Sequence, residues 1–324
     1  MSAKKILVTG GAGFIGASLV SRLVAQGHQV RVLDNLSRGS KERLGKTLES
    51  IELVEGDICD PHVVQKAAKG MESVFHLAFI NGTEFFYSKP ELVLDVGVRG
   101  MLNVMDACRE FGIQELVLAS SSEVYQSADK VPTDESVSMS VPDPMNPRYS
   151  YGSAKIISEI LALHSAAKFM NRVIIFRPHN VYGPMMGFEH VIPQLTLKLK
   201  ENTKEGSDTI DLPIQGTGEE TRAFIYIDDF TDGVILSWEK GESGNIYHIG
   251  TMEEISIADL IHCMGEVLGK KIQILPGPAA KGGTQRRCPD TAKIKALGFK
   301  PKISLKEGLQ KTMEWYMKQK DVLC

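Results

Sequence analysis

The sequence predicts an α/β fold built on a doubly wound parallel sheet, and three observations predict it. Short apolar runs recur near residues 5–9, 29–33, 51–55, 73–78, 115–119 and 172–177. Longer stretches of helical character lie between them, near 14–26, 61–69, 90–111 and 150–170. Four glycines crowd residues 10–16, between the first apolar run and the first helical stretch. Strands that alternate with helices make right-handed βαβ units, whose helices cover both faces of a parallel sheet.

The first strand reads as Ile6-Leu7-Val8, followed at once by the glycine-rich turn and a helix. The second, Val30-Arg31-Val32-Leu33, ends at Asp34. The third runs to residue 55 and is followed by Asp57 and Ile58; the fourth ends at Leu77-Ala78. Pro90 suits a first helical turn, and Val93, Val96, Val104, Ala107 and Phe111 then recur at helical spacing along an apolar face. Leu116-Val117-Leu118-Ala119 reads as a strand that runs into Ser120-Ser121-Ser122. Residues 127–147, rich in Pro, Asp, Ser and Met, read as a long surface loop of the kind that is often functional. After about residue 178 helices shorten and polar loops increase, and the strands at 210–214 and 223–227 read as single ones. This predicts a nucleotide-binding domain over 1–178 and a smaller α/β substrate region over 179–324. The two share a cleft, with some chain crossing back to the sheet.

Composition narrows the function. In 324 residues, 43% are hydrophobic and 24% charged, which suits a soluble globular core. The net charge of −3 gives no footprint for nucleic acid or an acidic membrane surface. No apolar run approaches the length needed to span a bilayer, and the start lacks the apolar stretch of a secretory signal. Five scattered cysteines and eight histidines show no metal-ligand spacing, so neither a metal nor a disulfide framework is expected. The expected compartment is a reducing cytoplasm.

Gly11-x-Gly13-x-x-Gly16 satisfies a dinucleotide fingerprint, and Gly10-x-x-Gly13-x-x-Gly16 gives an overlapping frame. Glycines permit a tight turn and bring backbone N–H groups against a pyrophosphate, to which the helix N-terminus adds partial positive charge. Asp34 lies eighteen residues after Gly16, where it accepts from a ribose hydroxyl and repels a 2′-phosphate. This favours NAD over NADP; Arg38, close by, is the opposing feature. Asp57 is placed either to reach the adenine or to turn the chain before Pro61. Tyr151 and Lys155 stand one helical turn apart on one face. A phenol titrates near about 10, and a neighbouring ammonium with a positive nicotinamide ring would lower that value and make Tyr151 a base. Tyr316 and Lys320 repeat the spacing in what reads as an ordinary solvated helix.

Together the glycine cluster through Phe14-Ile15-Gly16, Asp34, Asp57-Ile58, Ser120-Ser121-Ser122-Glu123-Val124-Tyr125, Tyr151-x-x-x-Lys155 and Arg177-Pro178-His179-Asn180-Val181-Tyr182-Gly183-Pro184 resemble the extended short-chain dehydrogenase/reductases. More narrowly they resemble the NAD-dependent nucleotide-sugar epimerases and dehydratases. The resemblance implies a Rossmann sheet. It places Gly10, Gly13, Phe14, Ile15, Gly16, Asp34, Asn35, Asp57, Ile58, Leu77, Ala78, Tyr151 and Lys155 at the cofactor. It also implies that Tyr151 takes the proton of a sugar 4-hydroxyl, that Ser121 holds the same oxygen, and that C4 gives hydride to NAD. Asn180, His190, Arg222 and Arg287 would meet the nucleotide diphosphate or the sugar. Glu123 is a candidate base at C5 or a carboxylate turned to solvent.

Several outcomes share the 4-keto sugar: 4-epimerisation, 4,6-dehydration, decarboxylation of a uronic acid, and release of the ketone by a C4 dehydrogenase. Ser122 lacks the aspartate of the usual dehydratase pattern, and Met185 departs from the decarboxylase pattern, which leaves 4-epimerase first. A non-catalytic NAD-binding sensor or scaffold is the reading from another class; the presence of Ser121, Tyr151 and Lys155 speaks against it. Gly97 and Gln126 stand where the pattern carries asparagine and glycine, and Ile80–Tyr87 is an unusual active-site loop. A homodimer paired through the helices at 90–111 and 150–170 is also implied.

Overall fold

Each of the six apolar runs becomes a strand of one sheet. The computed structural model describes residues 2–204, 206–278 and 284–319. Its first half runs β1 (Lys5–Thr9), α1 (Phe14–Ala25), β2 (Gln29–Asp34), α2 (Lys41–Leu44), β3 (Glu52–Glu55), α3 (Pro61–Ala68), β4 (Ser73–His76), α4 (Thr83–Ser88), α5 (Pro90–Leu94), α6 (Gly100–Phe111), β5 (Glu115–Ala119), α7 (Ser150–His164) and β6 (Arg172–Pro178). The second half runs β7 (Val181–Tyr182), α8 (Val191–Asn202), β8 (Thr209–Pro213), β9 (Thr221–Ala223), β10 (Ile225–Tyr226), α9 (Ile227–Lys240), β11 (Asn245–Ile249), β12 (Glu254–Ser256), α10 (Ile257–Leu268), β13 (Lys271–Leu275), β14 (Arg286–Arg287), α11 (Ala292–Ala296) and α12 (Leu305–Lys318).

The main sheet has seven parallel strands in the order β11-β6-β5-β4-β1-β2-β3. Winding reverses between β1 and β4, and in an open α/β sheet the crevice beyond the carboxyl ends at such a point receives ligand. Because side chains alternate across a strand, neighbours feed opposite cores. Ile6, Val8, Phe75 and Ile174 pack with α1 and α9 on one face. Leu7, Val74, Leu116 and Ile175 pack with α3, α6 and α7 on the other.

The structure departs from the sequence reading at definite places. The seventh strand, β11, carries His248 in its core, and a polar residue hides it from a search for apolar runs. His248 is buried because its ring Nε2 bonds the Tyr125 hydroxyl at 2.6 Å. The helix expected over 90–111 is interrupted between α5 and α6 by a π-helical turn, Asp95–Arg99. The stretch expected over 150–170 stops as an α-helix at His164. The strands read as single are paired: β8 with β13, β9 with β12 and β14, β10 with β7. Ile227 begins α9 instead of ending a strand. Helix α12, started by a capping box between Ser304 and Glu307, is docked. Leu309, Met313 and Tyr316 share its buried face, and the Tyr316 hydroxyl donates to the Met186 carbonyl at 2.6 Å. It is therefore not a solvated helix; Lys320 lies outside the described residues. Residues 127–146 form the expected loop, pinned by a bridge between Thr133 and Pro289. The cysteines at 59, 108, 263 and 288 are free thiols, and Cys324 lies outside the described residues. No described helix is long and apolar enough to cross a membrane.

One buried ion pair ties β6 to α7. Arg177 donates to both carboxylate oxygens of Glu159, from Nε at 2.8 Å and from Nη2 at 2.6 Å, with both side chains almost wholly enclosed. Ser120 and Tyr125 complete the network through bonds to Glu159 and Arg177. Removing one charge strands the other in a poor solvent. Glu159→Gln is therefore expected to lower stability by about 3 kcal/mol, read from urea unfolding midpoints. The Glu159→Met/Arg177→Met double variant should lose less than Glu159→Gln.

Candidate active site

The cleft opens where β1 and β4 end. Gly10 has φ +71°, and a Cβ there would lie 2.6 Å from the Ala78 nitrogen. A Cβ on Gly16 would lie 2.1 Å from the Gly10 carbonyl oxygen. The two glycines are thus demanded by the chain's own crossing as well as by any ligand. Gly13 caps α1 without a side chain, so no side-chain oxygen competes for the first-turn N–H groups.

A cavity of about 440 Å³ is lined by Gly10, Gly13, Phe14, Ile15, Gly16, Asp34, Asn35, Asp57, Ile58, Leu77, Ala78, Ser121, Glu123, Tyr151, Lys155, Asn180, His190 and Arg287. This brings together every sequence-predicted site residue except Arg222. The Arg222 guanidinium instead donates to the carbonyls of Thr221 at 2.7 Å and Thr284 at 2.8 Å. These bonds use Nη1 and Nη2 and leave other guanidinium donors, so the contact with a nucleotide diphosphate or sugar expected of Arg222 stays a proposal.

At the dinucleotide end, Asp34 braces the turn. Its carboxylate accepts from the N–H of Ala12 and of Leu36, each at 2.9 Å. A carboxylate has about four acceptor sites, so it retains capacity for ribose hydroxyls. Arg38 is ion-paired with Glu189 and lies over the Phe85 ring at 5.2 Å. Arg38 lines the same cleft as Asp34, and Glu189 balances its charge there. Asp57 turns the chain, as one of its two readings expects, and it also lines the cleft, where contact with an adenine stays a proposal. Its oxygens accept from Cys59 N at 2.8 Å and Asn35 Nδ2 at 2.9 Å. Burial works against its charge, but those donors prevail and hold the carboxyl below its ordinary value. The cradle of small residues, the open helix start and the acid at the end of β2 together fit a dinucleotide.

At the other end, Ser121 extends from β5, and Tyr151 and Lys155 from α7. The Ser121 hydroxyl stands by the Tyr151 phenol and accepts from Glu123 N at 3.1 Å. Lys155 is buried and donates to the Ala119 carbonyl at 2.6 Å. Tyr151 is clasped by two rings: Phe86 stacks on it and Phe79 meets it edge-on, each with centroids 5.0 Å apart. Burial pushes the phenol up to about 12, against the Ser121 hydroxyl, with Glu123 adding to the rise. Burial also brings Lys155 down to about 7, against Glu159. The expectation that Lys155 lowers Tyr151 is corrected here: the ammonium lies 5.8 Å from the tyrosine ring centroid and is turned to Ala119 and Phe79.

Glu123 is not turned to solvent. It faces the cleft and pairs with Arg287 at 2.7 Å. Burial opposes its charge, but Arg287, Arg148 and Arg222 keep the carboxyl below its usual range. Arg287 therefore stands at the reacting end. Asn180, at φ +42°, donates to the Ala223 carbonyl at 3.0 Å, and His190 caps α8 without a side-chain bond. Burial lowers the His190 ring below its ordinary value. Gln126 adopts φ +52°, the conformation that the glycine of the pattern would take freely; its amide donates to the Glu123 carbonyl at 2.6 Å. Phe79 and Met186 also line the cleft. The sequence reading missed both, since an aromatic after Leu77-Ala78 reads as core. The unusual Gly97 was the available signal: a Cβ there would lie 2.5 Å from Phe79 Cζ.

Residues 6–250 match the model of the NAD dependent epimerase/dehydratase family. The chain is similar to UDP-glucuronic acid decarboxylase 1 of Xenopus tropicalis, with 30% identity over 98% of this chain and 73% of that protein. It is similar to dTDP-D-glucose 4,6-dehydratase of Mus musculus, with 31% identity over 98% of this chain and 89% of that one. Among solved structures, UDP-glucose 4-epimerase of Thermotoga maritima, with UDP-glucose, superposes with a TM-score of 0.85 at 29% identity, covering 97% and 99% of the two chains. The chain therefore belongs to the NAD-dependent epimerase/dehydratase family of extended short-chain dehydrogenase/reductases, and it is an NAD-dependent enzyme.

Proposed function

We propose that the chain oxidises the C4 hydroxyl of a nucleotide-diphosphate sugar to a 4-keto sugar and completes a 4-epimerisation. The observation that carries this reading is that Ser121, Tyr151 and Lys155 line one cleft together with the glycine turn. The glycine turn, Asp34 and Lys155 would hold NAD, which would supply a hydride acceptor and a positive ring to offset the burial that holds the Tyr151 phenol high. Ser121 Oγ holds the sugar O4 and Tyr151 Oη takes its proton. Phe79 and Phe86 keep water from the phenol. Lys155 lies half-way between charged and neutral near pH 7, so it can pass a proton or hold a ribose hydroxyl. Asn180 and His190 face the rest of the substrate. After oxidation, epimerisation needs the keto sugar to turn and take hydride on its other face.

A second reading is favoured by the Glu123–Arg287 pair. A carboxylate kept ionised beside Tyr151 is a base for the C5 proton in a dehydration. In a decarboxylation, Arg287 would meet a uronate carboxylate.

A homodimer is part of the proposal. Leu94 and Leu102 along the helices at 90–111, and Ile157 and Ile160 on α7, are apolar yet 38–48% exposed. Paired copies would cover them as a four-helix bundle.

Incubation with UDP-, GDP- and dTDP-sugars separates the outcomes by mass and NMR. Unchanged mass with inverted C4 is expected; loss of water or of carbon dioxide would transfer the assignment to the second reading. Tyr151→Phe should abolish all turnover. Lys155 carries its burial cost in full below its folded midpoint of about 7, and the cost fades towards its ordinary 10.5. Lys155→Met should therefore melt higher than wild type at neutral pH, by a margin that shrinks as pH rises towards that value. The Leu102→Glu/Ile160→Glu variant should elute as a monomer in light-scattering chromatography.

A further inference from the structure

Phe79 sits beside the Tyr151–Lys155 pair in a space that a second departure in the sequence creates. Its ring centroid is 3.9 Å from Lys155 Nζ, and its edge-on contact with Tyr151 spans 5.0 Å between centroids. The space belongs to Gly97, where a Cβ would come within 2.5 Å of Phe79 Cζ and 2.8 Å of Ala154 Cβ. Gly97 lies in the π-helical turn between α5 and α6, and its carbonyl accepts from Ser158 Oγ on α7 at 3.3 Å. Single π turns re-aim a helix locally, often at functional sites. Here the turn brings a residue without a side chain opposite α7, and a ring from the end of β4 enters the gap.

Lys155 gives this placement its meaning. An ammonium has three donors. Among the described residues its one hydrogen bond goes to the Ala119 carbonyl, which leaves two donors for the ring and the cleft. A ring face attracts a cation, and more so where water is excluded. The other charged or titratable groups around Lys155 are Tyr151 and Glu159 on its own helix and His76 from β4. Arg177 of β6 is tied up by Glu159.

We infer that Phe79 is a positioning residue: its ring, admitted by Gly97, seats the Lys155 ammonium on its face and holds Tyr151 at its edge. The pair is thereby aligned from β4, by an aromatic contact instead of a polar one. This rests on the reading of Tyr151 and Lys155 as the groups that handle the sugar's proton. It adds a residue that the fingerprint motifs do not contain.

Competitive acetylation of Lys155 with acetic anhydride over a pH series, read by peptide mass spectrometry, tests it without turnover. A cation–π contact favours the charged lysine, so losing the ring should lower its titration midpoint. Phe79→Leu and Phe79→Met are each expected to lower it by about half a unit to one unit, measured in whichever of them keeps the wild-type melting profile. Phe79→Tyr, which retains a ring face, should return it to the wild-type value. Wild-type titration in whichever of the Leu and Met variants keeps that profile, or a Tyr variant as low as they are, overturns the inference. Tyr151→Phe, assayed on the sugar panel, separates the two levels. Turnover in that variant removes the reading of the pair and the inference with it. An inactive Tyr151→Phe alongside unshifted Phe79 variants removes only the role of Phe79.

Discussion

No side chain fits between Gly10 and Ala78, and the architecture of the cleft follows from that. The ends of β1 and β4 approach until a Cβ on Gly10 would touch the Ala78 backbone. The chain can then rise from the sheet, start α1 at Phe14 and turn its first N–H groups towards the crevice. Asp34 locks this turn from the next strand by accepting from Ala12. A floor made of backbone serves a diphosphate well, because it supplies donors at close range and costs no side-chain entropy on binding.

Burial governs the chemistry at the opposite end. Tyr151 and Lys155 are both enclosed, and enclosure moves each towards its neutral form, the phenol to about 12 and the lysine to about 7. The protein therefore holds a neutral acid and a weakly basic amine within one turn of helix. Charge from a bound positive ring changes the balance of both together. Glu123 escapes the same pressure because Arg287, 2.7 Å away, and the charges of Arg148 and Arg222 offset its burial. Behind these groups, Glu159 and Arg177 pair with each other, joining α7 to β6 and bracing the helix on which Tyr151 and Lys155 ride.

Parts of the second half of the chain complete the main sheet and its core, and other parts line the cleft. Helix α9 packs under the sheet and β11 joins its edge. Asn180, Glu189 and His190 close the cleft from above, while α12 is anchored by Tyr316 to the backbone of Met186 beside them.

The sequence by itself determined the parallel α/β class, since strand-like runs that alternate with helical stretches must form βαβ units, and six of those runs are strands of one sheet. It also determined the dinucleotide end of the cleft, because glycine spacing and an acid after the second strand are local requirements of backbone geometry. Tertiary structure alone decided what depends on contacts between distant segments. It buried His248 in a seventh strand through Tyr125, turned Glu123 onto Arg287, tied Arg222 to carbonyls and brought Phe79 over Lys155. In each case the residue type was readable, but its partner lay far along the chain, and the pairing of a charge or a ring is set by the fold that brings the two together.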